Sequence, residues 1–108
     1  MDDTTTIHQC NSLAEVRQHI DALDTRIVAL LCERSAYVVQ AGRLKNKVEQ
    51  VVDQPRIEAI VARVRAMARA QGAPEAVMEA TYRAMIAAFI EFERAEFLRL
   101  RPNDTSPP

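Results

Sequence analysis

One arginine lies inside the apolar face of the longest helix that this sequence predicts. The apolar residues of 13–48 recur in steps of three and four, and Arg34 occupies one position of that stripe. Lys45 follows eleven residues later, almost in line with Arg34 on a helix of about 3.6 residues per turn. Because an unpaired guanidinium is very costly to bury, Arg34 is expected to meet an anion.

Three other charged residues also lie at unusual positions on the predicted helices. Arg17 lies near the start of the same helix, Arg56 in the first turn of the next, and Glu93 interrupts the apolar face of the last. Such cations and one acid among apolar side chains suit the binding of a small organic molecule with several negative charges. They also suit a reaction that needs positioning and charge stabilisation but no nucleophile. Each charge has an ordinary interpretation too, as an ion-pair partner or a solvated group.

The residue pattern gives little support for a metal site, a nucleotide-binding site or a catalytic nucleophile. His8 and His19 stand at no recognised ligand spacing from the cysteines, and no glycine-rich phosphate motif occurs. No serine or cysteine has an obvious base partner. We therefore expect neither a metal nor a cofactor.

Composition limits the classes of partner. The 108 residues are 48% apolar, which suits one small domain, and the net charge of −1 does not favour nucleic-acid binding. No apolar run reaches the roughly 18 residues of a membrane span, and the acidic, polar N-terminus lacks the features of a signal peptide. Cys10 and Cys32 do not form a disulfide framework. These features predict a cytoplasmic protein without membrane contact.

The pattern predicts an all-α chain of three helices. The first covers 13–48 and starts at a capping box of Ser12 and Glu15; the connection 49–53 leads to a second helix with Pro55 in its first turn. Gly72 ends that helix, and a third runs from Pro74 to about Leu100. Residues 1–11 and 101–108 are expected to be a flexible and a disordered tail around one domain, 12–100. The first apolar stripe consists of Val16, Ile20, Leu23, Ile27, Leu30, Tyr37, Ala41, Leu44 and Val48.

The second helix is predicted to bury one face and expose another. The buried face consists of Ile57, Ile60, Val61, Val64 and Met67. The arginines at 63, 65 and 69 lie elsewhere and are expected to be solvated.

The length of the first helix itself argues for a second chain. Thirty-six residues would span about 54 Å, whereas a compact monomer of this size has a radius of gyration of about 13 Å. The apolar stripe therefore needs a partner chain or very short companions.

Three segments resemble the all-helical class of chorismate mutases over residues 12–100. The first, LAEVRQHIDALDTRIVALLCERSAYVVQAGRLK, carries Arg17, Asp21, Asp24, the Glu33–Arg34 pair and Lys45 in the order and spacing of that family. The segments DQPRIEAIVARVRAMARAQG and MIAAFIEFERAEF are similar to the second and third helices, more loosely.

The resemblance implies a fold and a reaction. The family forms an intertwined homodimer with antiparallel long helices and rearranges chorismate to prephenate by a Claisen reaction, without a cofactor. Along one straight helix, Arg17 and Lys45 lie about 42 Å apart, so they cannot hold one small ligand within a single chain. In an antiparallel pair, Arg17 of one chain comes near Arg34 and Lys45 of the other.

Residue roles follow from the resemblance. Arg34 and the partner subunit's Arg17 would hold the two substrate carboxylates, and Arg56 would support them. Lys45 would donate to the ether oxygen as the C–O bond breaks, and Asp53 could accept from the ring hydroxyl. The catalytic set is thus Lys45, Glu93 and Arg34, and the substrate-binding set also includes Phe89 and Ile90.

Glu93 stands where the family has a Gln or Glu that donates to the same ether oxygen. As a glutamate it must be protonated to donate.

Some positions depart from the mutase pattern toward isochorismate–pyruvate lyases, which release pyruvate from isochorismate and leave salicylate. Ile57 replaces an acid that binds the substrate hydroxyl, and Phe89 stands where a smaller polar residue is common. The Tyr37–Val38 pair and the short connection after Lys45 also fit the lyases, whereas Glu93 fits the broader mutase group. The mutase is the favoured interpretation and the lyase its alternative.

An alternative of another class is a non-catalytic dimerisation or metabolite-sensing module. The presence of all four cations, Arg17, Arg34, Lys45 and Arg56, argues against it.

Overall fold

The computed structural model describes residues 6–100. Its elements are helix α1 (Leu13–Leu44), a short 3-10 helix (Val48–Val51), helix α2 (Gln54–Ala70) and helix α3 (Glu75–Leu100). The described residues contain no strand, so the predicted all-α class and the three helices are confirmed. The predicted C-terminal tail lies outside the described residues.

Helix α1 begins as predicted and ends earlier than predicted. The Ser12 hydroxyl accepts from the Glu15 backbone N–H at 3.1 Å, while the Glu15 carboxylate accepts from the Asn11 N–H at 2.8 Å. The α-helix stops at Leu44, so the predicted end at 48 is wrong. The Gln50 side chain accepts from the backbone N–H groups of residues 46 and 47, at 2.6 and 3.2 Å. These bonds start the 3-10 helix instead of continuing α1.

The connection after α1 packs onto the rest of the chain through Val51. This residue is 4% exposed, and the 3-10 helix that contains it packs against α3. Burial of this apolar side chain stabilises the turn that follows α1. A regular α1 that continued to residue 48 would not allow this turn.

Helices α2 and α3 form a helical hairpin with the hydrophobic core between them. Asp53 caps α2 by accepting from the Arg56 N–H at 3.1 Å. Gly72 has a φ of 72°, and the Gly72 and Ala73 N–H groups close the helix end on the carbonyls of residues 69 and 68. One cluster of this core consists of the buried residues Ile60, Val64 and Ile86, packed by Ile57, Met78, Tyr82 and Ile90.

One expectation for α2 is wrong: Met67, placed on the buried face, is 53% exposed, and Ala68 is buried instead. Arg63 and Arg69 are exposed, as expected, whereas Arg65 is half-buried. Arg65 and Arg69 also form ion pairs with acids of α3. The ion pairs between the two helices are Arg65 with Glu75 and Glu79, Arg69 with Glu75, and Arg83 with Glu58.

Contacts group the chain into two units, one up to Ala36 and one from Tyr37 onward. In the first unit, the His8 ring stacks on the His19 ring of α1 with centroids 4.9 Å apart. A cavity of about 570 Å³ lies between residues 6–10 and the stripe residues Val16, Ile20 and Leu23. No helix of residues 6–100 is long and apolar enough to cross a membrane.

Candidate active site

Lys45 comes directly after the last residue of α1. Its backbone N–H donates to the Gly42 carbonyl at 3.3 Å, which closes the final turn of the helix. Its ammonium group donates to Oε2 of Glu93 at 2.6 Å, across 48 residues of sequence. The side chains of the pair are 24% and 11% exposed, so much of this contact is shielded from water.

Glu93 lies on the face of α3 that packs inward. At 9% exposed, it is the one polar or charged residue in the buried class among residues 6–100. A lysine ammonium can only donate, so Oε2 of Glu93 acts here as an acceptor. A short charge-assisted hydrogen bond of this kind compensates the cost of burying the carboxylate.

An open cavity of about 470 Å³ adjoins Lys45. Lys45 and Asp53 line it together, with Leu44, Gln50, Val52, Gln54 and Pro55. The cavity thus offers a cation that can hold a negative group and an acid that can accept from a hydroxyl group. Among the described residues, no three histidine, cysteine or acidic side chains are grouped to hold a metal.

Asp53, which lines this cavity, also stabilises the start of α2. Its Oδ1 caps α2, and its second oxygen is not needed for that bond. Arg56 lies within the same capped turn and its side chain is exposed.

Comparison with known families shows the family to which the chain belongs. Residues 16–94 match the family model described as chorismate mutase type II. The chain belongs to the type II chorismate mutase family. The matched segment contains each of the cations and Glu93. A search of curated proteins found no match.

Two residues that this type II family member needs for the predicted site lie in its first unit. Arg17 is exposed on α1, and Arg34 is half-buried on the same helix. Their part in substrate binding remains a prediction.

Phe89 and Ile90 are both half-buried on α3. Ile90 packs against the core of the α2–α3 hairpin, so part of its surface serves the fold. Contact of either residue with substrate remains a prediction.

Sequence reasoning missed two residues near the candidate site. Gln50 lines the cavity and shapes the chain after Lys45, because its side chain accepts from the backbone N–H groups of residues 46 and 47. Gly42 faces the Glu93 side chain: a Cβ built on Gly42 would lie 3.7 Å from both Cγ and Oε2 of Glu93. No local pattern reports that contact, because Glu93 lies on another helix.

Proposed function

We propose that this chain is a chorismate mutase that converts chorismate to prephenate in a cationic pocket shared by two copies. One observation carries the proposal: in a member of the type II family, Lys45 lies between a buried acid and an open cavity. The rearrangement is intramolecular. The ether C–O bond breaks as a C–C bond forms, so the reaction needs no external nucleophile.

Lys45 stabilises the charge that develops on the ether oxygen. Its ammonium has three donors, and Glu93 uses one of them. The ammonium group also adjoins the open cavity in which the ligand would bind. A donor held in place before the reaction stabilises a developing oxyanion without reorganisation at the moment of reaction.

Glu93 assists through its other oxygen. Because Lys45 donates to Oε2, a proton that Glu93 donates to the substrate must be carried on Oε1. A carboxylate at this place would repel both the substrate anion and the charge formed in the transition state. The proposed active form is therefore protonated at Oε1 and still paired with Lys45 at Oε2.

A second copy of the chain completes the site in this proposal. Helix α1 contains no buried residue, and stripe residues such as Ile27 and Leu30 are 50% and 63% exposed. Association of two antiparallel α1 helices would cover this apolar face and bring the partner subunit's Arg17 to the substrate carboxylates. Sedimentation of the protein at micromolar concentration tests the point, since a folded monomer would contradict the shared pocket.

Isochorismate–pyruvate lyase activity is the second candidate. Ile57 is half-buried and packs against the α2–α3 core, so its position provides no acid for a substrate hydroxyl. That feature departs from the mutase pattern in the direction of the lyases.

One assay distinguishes the candidates. Purified protein is incubated separately with chorismate and with isochorismate, and the products are identified by chromatography. Prephenate supports the mutase, and salicylate with pyruvate supports the lyase. If neither product forms with folded protein, the chain is a non-catalytic module.

A further inference from the structure

Both peptide groups that flank the α-carbon of Lys45 are hydrogen-bonded. On one side, the Lys45 N–H donates to the Gly42 carbonyl at 3.3 Å. On the other side, the Asn46 N–H donates to Oε1 of Gln50 at 2.6 Å. Peptide groups are planar, so φ and ψ of Lys45 are the only soft dihedrals between these two groups. The two hydrogen bonds therefore restrict the direction in which the Lys45 side chain leaves the backbone.

The orientation of the Gln50 amide group follows from its partners. Oε1 also accepts from the Lys47 N–H, at 3.2 Å. Both partners are backbone donors, and only the oxygen of a side-chain amide can accept from them. Gln50 thus supplies one acceptor to two N–H groups that come just after α1.

Gln50 is itself held by the fold. Its own N–H donates to the Lys47 carbonyl at 3.0 Å, and it precedes Val51, which is 4% exposed. The 3-10 helix that contains Gln50 and Val51 packs against α3. Helix α3 also carries Glu93, whose Oε2 accepts from the Lys45 ammonium group at 2.6 Å. One helix thus holds both the segment that supports Gln50 and the acceptor that Lys45 meets.

We propose that Gln50 is a positioning residue, which fixes the peptide group after Lys45 and so directs the Lys45 ammonium group toward Glu93 and the open cavity. Its effect on catalysis rests on the proposed function. Gln50 also lines that cavity, so an effect through Lys45 has to be distinguished from direct contact with a ligand. A carboxylate can replace the amide oxygen as an acceptor, whereas a methyl group cannot.

Gln50→Ala should lower kcat for prephenate formation, because the Asn46 N–H loses its acceptor. The expected loss is about 10²-fold, the effect of a displacement of about 1 Å at a reacting group. Gln50→Glu keeps the acceptor and should retain kcat, although its charge beside the cavity should raise KM for an anionic substrate. Glu49→Ala is the matched control. Glu49 is an exposed residue of the same 3-10 helix and is not among the residues that line the cavity, so kcat and KM should stay unchanged.

A double-mutant cycle with Lys45→Met shows whether Gln50 acts through Lys45. In the Lys45→Met background there is no ammonium group to position, so Gln50→Ala should cause no further loss of kcat. A loss by the same factor in both backgrounds would overturn the proposal, since Gln50 would then act on the substrate or on the fold directly. Wild-type kcat in Gln50→Ala, or equally low kcat in Gln50→Ala and Gln50→Glu, would also overturn it.

A measurement without substrate keeps this inference separate from the proposed function. Nitrogen-15 NMR follows the Lys45 ammonium group, whose signal is assigned by its absence from Lys45→Met. The hydrogen bond to Glu93 slows exchange of the ammonium protons with water, so exchange should be slow in the wild type and Gln50→Glu and faster in Gln50→Ala. If the protein forms neither prephenate nor salicylate, the proposed function fails and this comparison alone decides the role of Gln50. Equal exchange of the Lys45 ammonium protons in the wild type and Gln50→Ala would overturn that role.

Discussion

The Lys45 ammonium and Oε2 of Glu93 lie 2.6 Å apart, although 48 residues separate them in the sequence. This pairing joins the end of α1 to the middle of α3. Oε2 accepts from Lys45, and in the proposed mechanism Oε1 carries the proton that Glu93 donates.

Glu93→Gln should keep or exceed the wild-type kcat. An amide always carries a donor, whereas the Glu93 carboxyl group donates only when it carries a proton. The measurement is kcat of wild type and variant under the same conditions. By the family resemblance, the variant should also shift toward the lyase reaction, so both substrates are assayed.

Glu96→Gln is the matched control for this experiment. Glu96 lines the same small cavity as Glu93 but is paired with Arg99, and the hydrogen bond from Arg99 lowers the pKa of Glu96. Its substitution should leave kcat unchanged. A folded but inactive Glu93→Gln would refute the donor role.

Lys45→Met should reduce kcat more than it raises KM. The change keeps most of the side-chain stem and removes the charge that is proposed to stabilise the ether oxygen. Loss of one preorganised donor to a developing oxyanion typically costs about 10²–10³ in kcat, or roughly 2.7–4 kcal/mol. Steady-state kinetics distinguish the roles, because a change confined to KM would mean that Lys45 only binds substrate. Circular dichroism must first show that the variant folds, since Glu93 loses its partner.

Arg17→Ala and Lys45→Ala should each be inactive and should restore activity when mixed. In a heterodimer of the two variants, one of the two shared sites contains only wild-type residues. With random exchange of chains the activity should reach about a quarter of wild type, because half the dimers carry one intact site. Exchange is verified with differently tagged chains. Failure to regain activity despite exchange would show that Arg17 does not act across an interface.

Arg83→Met should destabilise the α2–α3 hairpin at neutral pH and much less in acid. Hydrogen bonds from Arg83 lower the pKa of Glu58 and of Glu79 below the ordinary value of 4.5. Because their folded-state pKa values are depressed, these acids stabilise the fold above about pH 4.5 and lose that contribution as the pH falls through the lower folded values. The measurement is the denaturant midpoint of wild type and variant from about pH 7 to about pH 3.

Salt and a second arginine provide the controls. The pairs lie at the surface, so the effect of Arg83→Met should shrink at high ionic strength. Arg63→Met, a change at an exposed arginine of α2 outside the ion pairs between the helices, should leave the acid dependence unchanged. A difference between wild type and Arg83→Met that stays constant with pH would show that lost packing, and not charge, causes the destabilisation.

Local chemistry accounts for what the sequence alone determined. The start of α2 at Asp53 and Pro55 and its end at Gly72 follow from hydrogen bonds and φ preferences within a few residues, so they could be predicted. The apolar periodicity also identified the core residues Ile60 and Val64. The first-helix motif identified the chorismate mutase family, because its residue types and spacing are themselves the signal.

Contacts between distant segments determined the end of α1 and the neighbours of Lys45 and Gly42. Helix α1 ends at Leu44 because the chain turns to bury Val51 against α3, an interaction that no helical periodicity encodes. The partner of Lys45 could not be derived from residue spacing, since Glu93 meets it only when α3 packs beside the end of α1. The neighbour of Gly42 shows the same limit: glycine is unfavourable to the helix by itself, and only the folded chain places it against the Glu93 side chain.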